Sequence, residues 1–181
     1  MYKYAPVSRQ ESVVFGAARP GYKTEQVEAW IKFMQQQDIR RICCLHTKSQ
    51  LNRYANLLDV YQQIFGFGRV CWSPVQDFHI VSPEVLIHQI LPFLAFANEC
   101  QEKVVVHCSG GVGRTGHILM AWLIAGRALS KQVAIAAVKQ TGRNPYEAVV
   151  DAPFRGRNPW QVAAKLQMLL DECHRLRRTF A

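Results

Sequence analysis

The stretch that most constrains this chain is Val104-Val105-Val106-His107-Cys108-Ser109-Gly110-Gly111-Val112-Gly113-Arg114-Thr115-Gly116. Its β-branched start predicts a short buried strand, and the apolar residues 118–125 beyond it predict a helix. The strand delivers one cysteine into a glycine-rich turn. Gly110, Gly111 and Gly113 allow positive φ, so that successive N–H groups can turn inward as an anion-binding nest, and the helix N-terminus adds its own unpaired donors. Such a cradle suits a tetrahedral dianion. Five residues separate Cys108 from Arg114, a spacing that lets the planar guanidinium grip two oxygens of one phosphoryl group. The same field favours the thiolate of Cys108, a nucleophile aimed at phosphorus.

Two other readings compete. A small core cysteine in a tight turn explains a lone Cys, but not His, Cys, three Gly, Arg and Thr-Gly at fixed offsets between a strand and a helix. A nucleotide-binding phosphate loop would need Gly-Lys-Ser/Thr after the glycines, and none follows.

On these residues the chain resembles the protein tyrosine phosphatase superfamily: HCSGGVGRTG matches its signature of His-Cys, five residues, Arg, Ser or Thr, and Gly. The small size is similar to the dual-specificity branch. The resemblance covers roughly residues 12 to 142 and is sharp around the loop and around Asp77, which stands in Ser73-Pro74-Val75-Gln76-Asp77-Phe78, 31 residues before Cys108. Ester cleavage needs a proton on the leaving oxygen, and no other acid follows in that loop until Glu84. The resemblance gives the acid's role to Asp77. It also implies that Cys108 attacks phosphorus, that Arg114 and the N–H groups of Ser109, Gly110, Gly111, Val112, Gly113 and Arg114 hold the equatorial oxygens, that Thr115 hydrogen-bonds the departing thiolate, and that His107 orients the loop. No metal or other cofactor is implied.

At 181 residues and 49% hydrophobic content, one domain over residues 1–181 with a real core is expected. The formal charge of +9 draws anionic partners. Phosphorylated protein is the leading substrate. RNA bearing a 5′-phosphate is an alternative that the charge suits, and a phosphoinositide ranks lower because residues 109–113 carry no Lys or Arg. A non-catalytic phosphate-binding module is the alternative of another class. No apolar leader or membrane-length run stands in the sequence, so a cytoplasmic protein is expected, with a monomer favoured. Six cysteines without zinc-type spacing argue against a disulfide framework or structural metal.

Strand and helix patterns alternate along most of the chain. Residues 12–16 read as an edge strand; Thr24 reads as a cap for a helix burying Val27, Trp30, Ile31 and Met34; residues 39–45 and 69–72 read as strands. Between the last two, Leu57, Leu58, Tyr61, Ile64 and Phe65 predict a helix face stopped by Gly66. His46, Thr47 and Lys48 follow a strand on the side where substrate sites gather. Ser82-Pro83 starts a helical run that Pro92 should kink or split. His79 and His88 read as surface groups. Ser130 caps a helix through Val133, Ile135, Ala136 and Val138. Gly142-Arg143-Asn144-Pro145 and Gly156-Arg157-Asn158-Pro159 read as two helix starts, with Glu147 and Gln161 at capping-box positions. Family members place a Gln here to position water, which makes Gln161 and Gln140 candidates by type. The expected fold is α/β, a mostly parallel central sheet flanked by helices, phosphatase-like, with a helical C-terminal third. Some members also place a partner cysteine on the strand holding Cys43 and Cys44, and the resemblance favours Cys43 as a redox partner of Cys108.

Overall fold

The triple-valine run forms the central strand of a five-stranded sheet in a computed structural model that describes residues 2–177 and 180. In chain order the elements are β1 (Ala5–Pro6), β2 (Val14–Ala18), α1 (Thr24–Gln36), β3 (Arg41–Cys44), α2 (Lys48–Leu51), α3 (Leu57–Phe65), β4 (Val70–Trp72), α4 (Pro83–Val85), α5 (Leu91–Glu99), β5 (Val104–Cys108), α6 (Gly113–Ala125), α7 (Lys131–Gln140), α8 (Glu147–Val150) and α9 (Pro159–Arg175). The strand order is β1-β2-β5-β3-β4. Among the described residues only β1 runs antiparallel to its neighbour; β5 pairs in parallel with β2 on one side and β3 on the other. All of β5 is buried, as an unbroken apolar run requires of a strand covered on both faces.

One face of the sheet packs on α6 with α5, α7 and α9, and the other on α1 and α3. Every residue of α6 is buried, so the helix that begins at the phosphate-sized loop is also the centre of the core. Displacing that loop would disturb the packing of the whole α6 face, which gives the loop a rigid base.

Several local expectations need correction. The first strand is not an edge, because two-residue β1 covers it. Thr24 is the first residue of α1 rather than its cap; Lys23 takes the cap position, and its N–H donates to Gln26 Oε1 at 3.3 Å. Helix α3 buries Leu57, Tyr61 and Phe65 but exposes Ile64. In α7 the buried pair is Ala134 and Val138, while Val133 faces solvent. Pro92, which lacks the N–H needed for an α-helical bond to His88, follows a π-helical turn over Leu86–Ile90 that separates α4 from α5.

The two Asn-Pro repeats behave differently. Asn158 Oδ1 accepts from the N–H groups of Trp160 and Gln161 and starts α9, with Pro159 in its first turn. Asn144 accepts from Tyr146 N–H, but that segment forms a turn before one-turn α8. Beside it Arg143 is buried and donates to the carbonyls of Gly16, Lys3, Ala5 and Thr141, tying β1 and β2 to the end of α7. Burial pulls its pKa down to about 10. A Cβ at Gly16 would lie 2.7 Å from that guanidinium, which explains the glycine. Among the described residues no helix is long and apolar enough to cross a membrane.

Candidate active site

The chain leaves β5 at Cys108 and curls through residues 109–112 into α6. Among the described residues, the N–H groups of 109–112 donate to no backbone carbonyl, and the first-turn N–H groups of α6 have no helical partner by geometry. These donors form the cradle. Of the three glycines, only Gly111 takes a positive φ, +67°. A Cβ there would also meet the backbone of Ala17 and Ala18 at 2.6 Å. Gly110 has open space around it, so the expectation of positive φ at all three glycines is corrected. Gly113 is small for another reason: its Cα packs against the Glu147 carboxylate, which a Cβ would meet at 1.8 Å.

Cys108 is 2% exposed, and Thr115 Oγ1 donates to its Sγ at 3.1 Å. The partner carbonyl groups at the base of the loop are also held: Arg19 N–H donates to Cys108 O at 2.9 Å and to Ser109 O at 3.3 Å. Arg114, equally buried, spans the mouth of the loop. Its Nη1 donates to Gln50 Oε1 at 2.8 Å and Val75 O at 3.0 Å; its Nη2 donates to Ser109 Oγ at 2.9 Å and lies 3.1 Å from Asp77 Oδ1. Nε has no partner among the described residues. The Nε–Nη2 edge is therefore the side from which the guanidinium can engage two oxygens.

Asp77 arrives on the loop after β4. Ser73 N–H and Val75 N–H donate to Cys44 O and Leu45 O, which anchor the loop to the end of β3, and Val75 O meets Arg114. Further along, His117 Nε2 on α6 accepts from Val81 N–H at 3.2 Å. Burial drives the pKa of His117 down to about 4, against an opposing contribution from the Gly113 backbone. It is thus a neutral ring that fastens the far end of the loop carrying Asp77.

Behind the loop, on the opposite sheet face, His107 packs against Trp30, Tyr61 and His46. Successive strand residues alternate faces, so its ring points away from the Cys108 thiol. Burial, then His46 and Arg114, push His107 well below the usual imidazole range. Cys44, His46 and His107 place one sulfur and two ring nitrogens within 4.8 Å of one another, all buried. Linear spacing did not show this metal-capable set. Burial holds Cys44 up at about 12 and His46 down at about 3. The guanidinium of Arg114 acts on all three side chains, a field that opposes a cation there.

Other expected residues lie elsewhere. His46 is fully buried against Tyr54, so it cannot contact substrate, and Thr47 is the cap of α2. Lys48 is exposed at the start of α2. The residue of this segment that reaches the loop is Gln50, whose Nε2 donates to Ser109 Oγ at 3.1 Å. Gln140 and Gln161 are exposed, and no hydrogen bond joins either to the loop among the described residues. Glu147 is there instead. Burial and then the Asp77 carboxylate raise its pKa, against the Gly113 N–H. Thr47-x-x-Gln50 was readable as a capping box and Glu147 stood at a capping-box position, but neither local pattern pointed to the cysteine loop.

Cys43, favoured as a redox partner, is also misplaced. It pairs in register with Val106, two residues short of Cys108. An offset of roughly 6.6 Å along the strand and 4.8 Å across it exceeds disulfide reach without backbone movement. Its thiol shares a hydrogen bond with Cys71, which together with burial raises its pKa. Cys44 is nearer along the strand, opposite His107, but takes the other face.

The sequence model described as "Dual specificity phosphatase, catalytic domain" matches residues 24–148. Dual specificity protein phosphatase 5 of Rattus norvegicus is 32% identical over 69 residues, which are 38% of this chain and 18% of that protein. The match thus spans less than a fifth of that relative. Among solved structures, Tk-PTP in its active form aligns with a TM-score of 0.68 at 23% identity, covering 96% of this chain and 97% of its own. PTPMT1 in complex with PI(5)P gives 0.68 at 15% identity, covering 94% and 96%. At these identities the structural likeness speaks for the fold.

Proposed function

Because the chain belongs to the dual specificity phosphatase catalytic-domain family, we propose that it hydrolyses phosphate monoesters of phosphorylated proteins, in one domain and through a phosphocysteine. The observation that carries this reading is Arg114: one guanidinium meets Ser109 of the cysteine loop and Asp77 of the preceding loop. Nucleophile, oxyanion clamp and acid share one mouth.

In the first step the Cys108 thiolate forms a P–S bond as the ester P–O bond breaks. The N–H groups of 109–114 and Arg114 stabilise the charge on the three equatorial oxygens. Asp77, protonated, gives its proton to the leaving oxygen. In the second step Asp77 as carboxylate takes a proton from water, whose oxygen attacks phosphorus. The P–S bond breaks, and Thr115 donates to the departing thiolate. His107 supports the loop by packing. The reaction uses no cofactor, and a reducing, cytoplasmic setting keeps Cys108 a thiol.

A phosphoinositide is the second reading, supported by the structural neighbour whose complex holds PI(5)P. Turnover in chelator on phosphotyrosine and phosphothreonine peptides, 5′-phosphorylated RNA and inositol phosphates separates the classes. Preference for the peptides is expected; turnover confined to RNA or inositol phosphates would replace the protein reading.

A further inference from the structure

The family match ends at residue 148, and the segment just beyond it returns to the loop that carries Asp77. After α8 the chain makes a 3-10 turn over Pro153–Arg155 and reverses at Gly156, φ +64°. The segment is rooted in a small core of Ala148, Ala152 and Val162, against which Ile80 of the acid loop packs. From this base Arg157 Nη2 donates to Phe78 O at 2.6 Å, and the Arg155 guanidinium lies 3.7 Å from the centre of the Phe78 ring. Arg155 is itself paired with Asp151.

Phe78 needs such support. It adopts φ +60° without being glycine, a left-handed conformation that costs roughly 1–2 kcal/mol for an L-residue and persists only where the surroundings enforce it. The residue before it is Asp77, held 3.1 Å from Arg114. The kinked peptide thus has an ion pair on one side and two arginine contacts on the other.

We propose that Arg155 and Arg157 are positioning residues that clamp Phe78 and thereby hold the Asp77 carboxyl over the cysteine loop. The inference rests on Asp77 being the general acid. Releasing the clamp lets Phe78 relax toward ordinary backbone and swings Asp77 away from the leaving oxygen. Asp77 also acts in the second step, which is common to all substrates, so the clamp is read in kcat/KM, which reports the first step, and there the loss grows as the leaving group becomes poorer.

The test is a series of aryl phosphates from activated to poor leaving groups, assayed with Arg157→Ala, Arg155→Ala, Arg157→Lys and Asp77→Asn, each checked by thermal melting. For Arg157→Ala, kcat/KM on the poorest leaving group should fall about tenfold or more, the scale of a lost charged hydrogen bond or a small misplacement. For the most activated ester kcat/KM should stay within about twofold, while Arg157→Lys, which keeps a donor, recovers most of the loss. Arg155→Ala, at an exposed side chain, gives the same signature more weakly and keeps the test available if Arg157→Ala does not fold. Uniform loss across the series, or none, in variants that melt normally would overturn the clamp. Uniform loss in Asp77→Asn would instead overturn the acid assignment beneath it.

Discussion

Asp77 Oδ1 rests 3.1 Å from Arg114 Nη2, with 44% of the Asp77 side chain and 2% of the Arg114 side chain exposed. The proposed acid and the proposed oxyanion clamp are therefore in contact, and a phosphoryl oxygen reaching the Nε–Nη2 edge must compete with the carboxylate. Removing the acid should help binding while harming chemistry. Asp77→Ala is expected to bind inorganic phosphate roughly two- to fivefold more tightly, the scale of a partly exposed ion pair. Its turnover of a poor leaving group should fall roughly 10²- to 10⁴-fold. Competition assays with phosphate and kcat measurements check both halves. Weaker phosphate binding would contradict the arrangement.

Thr115 donates to Cys108 Sγ at 3.1 Å. In Thr115→Ala the departing thiolate loses that donor, so breakdown of the phosphocysteine should slow by roughly ten- to a hundredfold, the worth of a hydrogen bond to a charged group. Pre-steady-state kinetics should show a burst larger than in wild type. Thr115→Ser should restore most of the rate.

Two neighbouring glycines should answer substitution differently. Gly111→Ala places a methyl group 2.6 Å from the backbone of Ala17 and Ala18 at φ +67°. It should destabilise the protein by roughly 1–3 kcal/mol and distort the cradle. Gly110→Ala meets open space and should melt within about 0.5 kcal/mol of wild type. Urea denaturation of the two variants measures the contrast.

Three buried imidazoles set an acid limit on stability. Burial, with help from Arg114, holds His46 down at about 3, and burial holds His117 at about 4 and His107 well below its usual range. Unfolding releases each to an ordinary value near 6.5, so the unfolded chain binds more protons between these limits. Stability is thus full above pH about 6.5 and declines as pH falls toward 4, by up to about 1.4 kcal/mol per pH unit for each ring. Glu147, whose pKa is raised, opposes this weakly, since it keeps its proton longer when folded. The urea midpoint should be lower at pH 5 than at pH 7.5, and His117→Gln, which retains an acceptor for Val81 N–H, should flatten the dependence.

What could be read from the sequence was whatever is local in the chain. Cys108, Arg114 and Thr115 lie on one strand-turn-helix passage, so their spacing already encodes their geometry, and Asp77 is the only acid of its loop. The amphipathic stripe of α1 was legible because a single face decides it. Gln50 and Glu147 were not, since each reaches the loop only after α2 and α8 pack beside it. The face and register that separate Cys43 from Cys108 depend on how β3 pairs with β5, which no residue type reveals. Arg155 lies between the two helix-start patterns and Arg157 within the second; both acquire meaning only through contact with Phe78.

The most direct test of the central claim is rapid acid quenching during turnover of a phosphotyrosine peptide, followed by mass spectrometry of the peptide spanning residues 104–116. The account predicts a phosphate on Cys108 that appears within the first turnover, and Cys108→Ser that binds the substrate but turns it over negligibly. No phosphate on Cys108 under conditions where product forms in a burst, or a Cys108→Ser variant that keeps a tenth of wild-type activity, would contradict it.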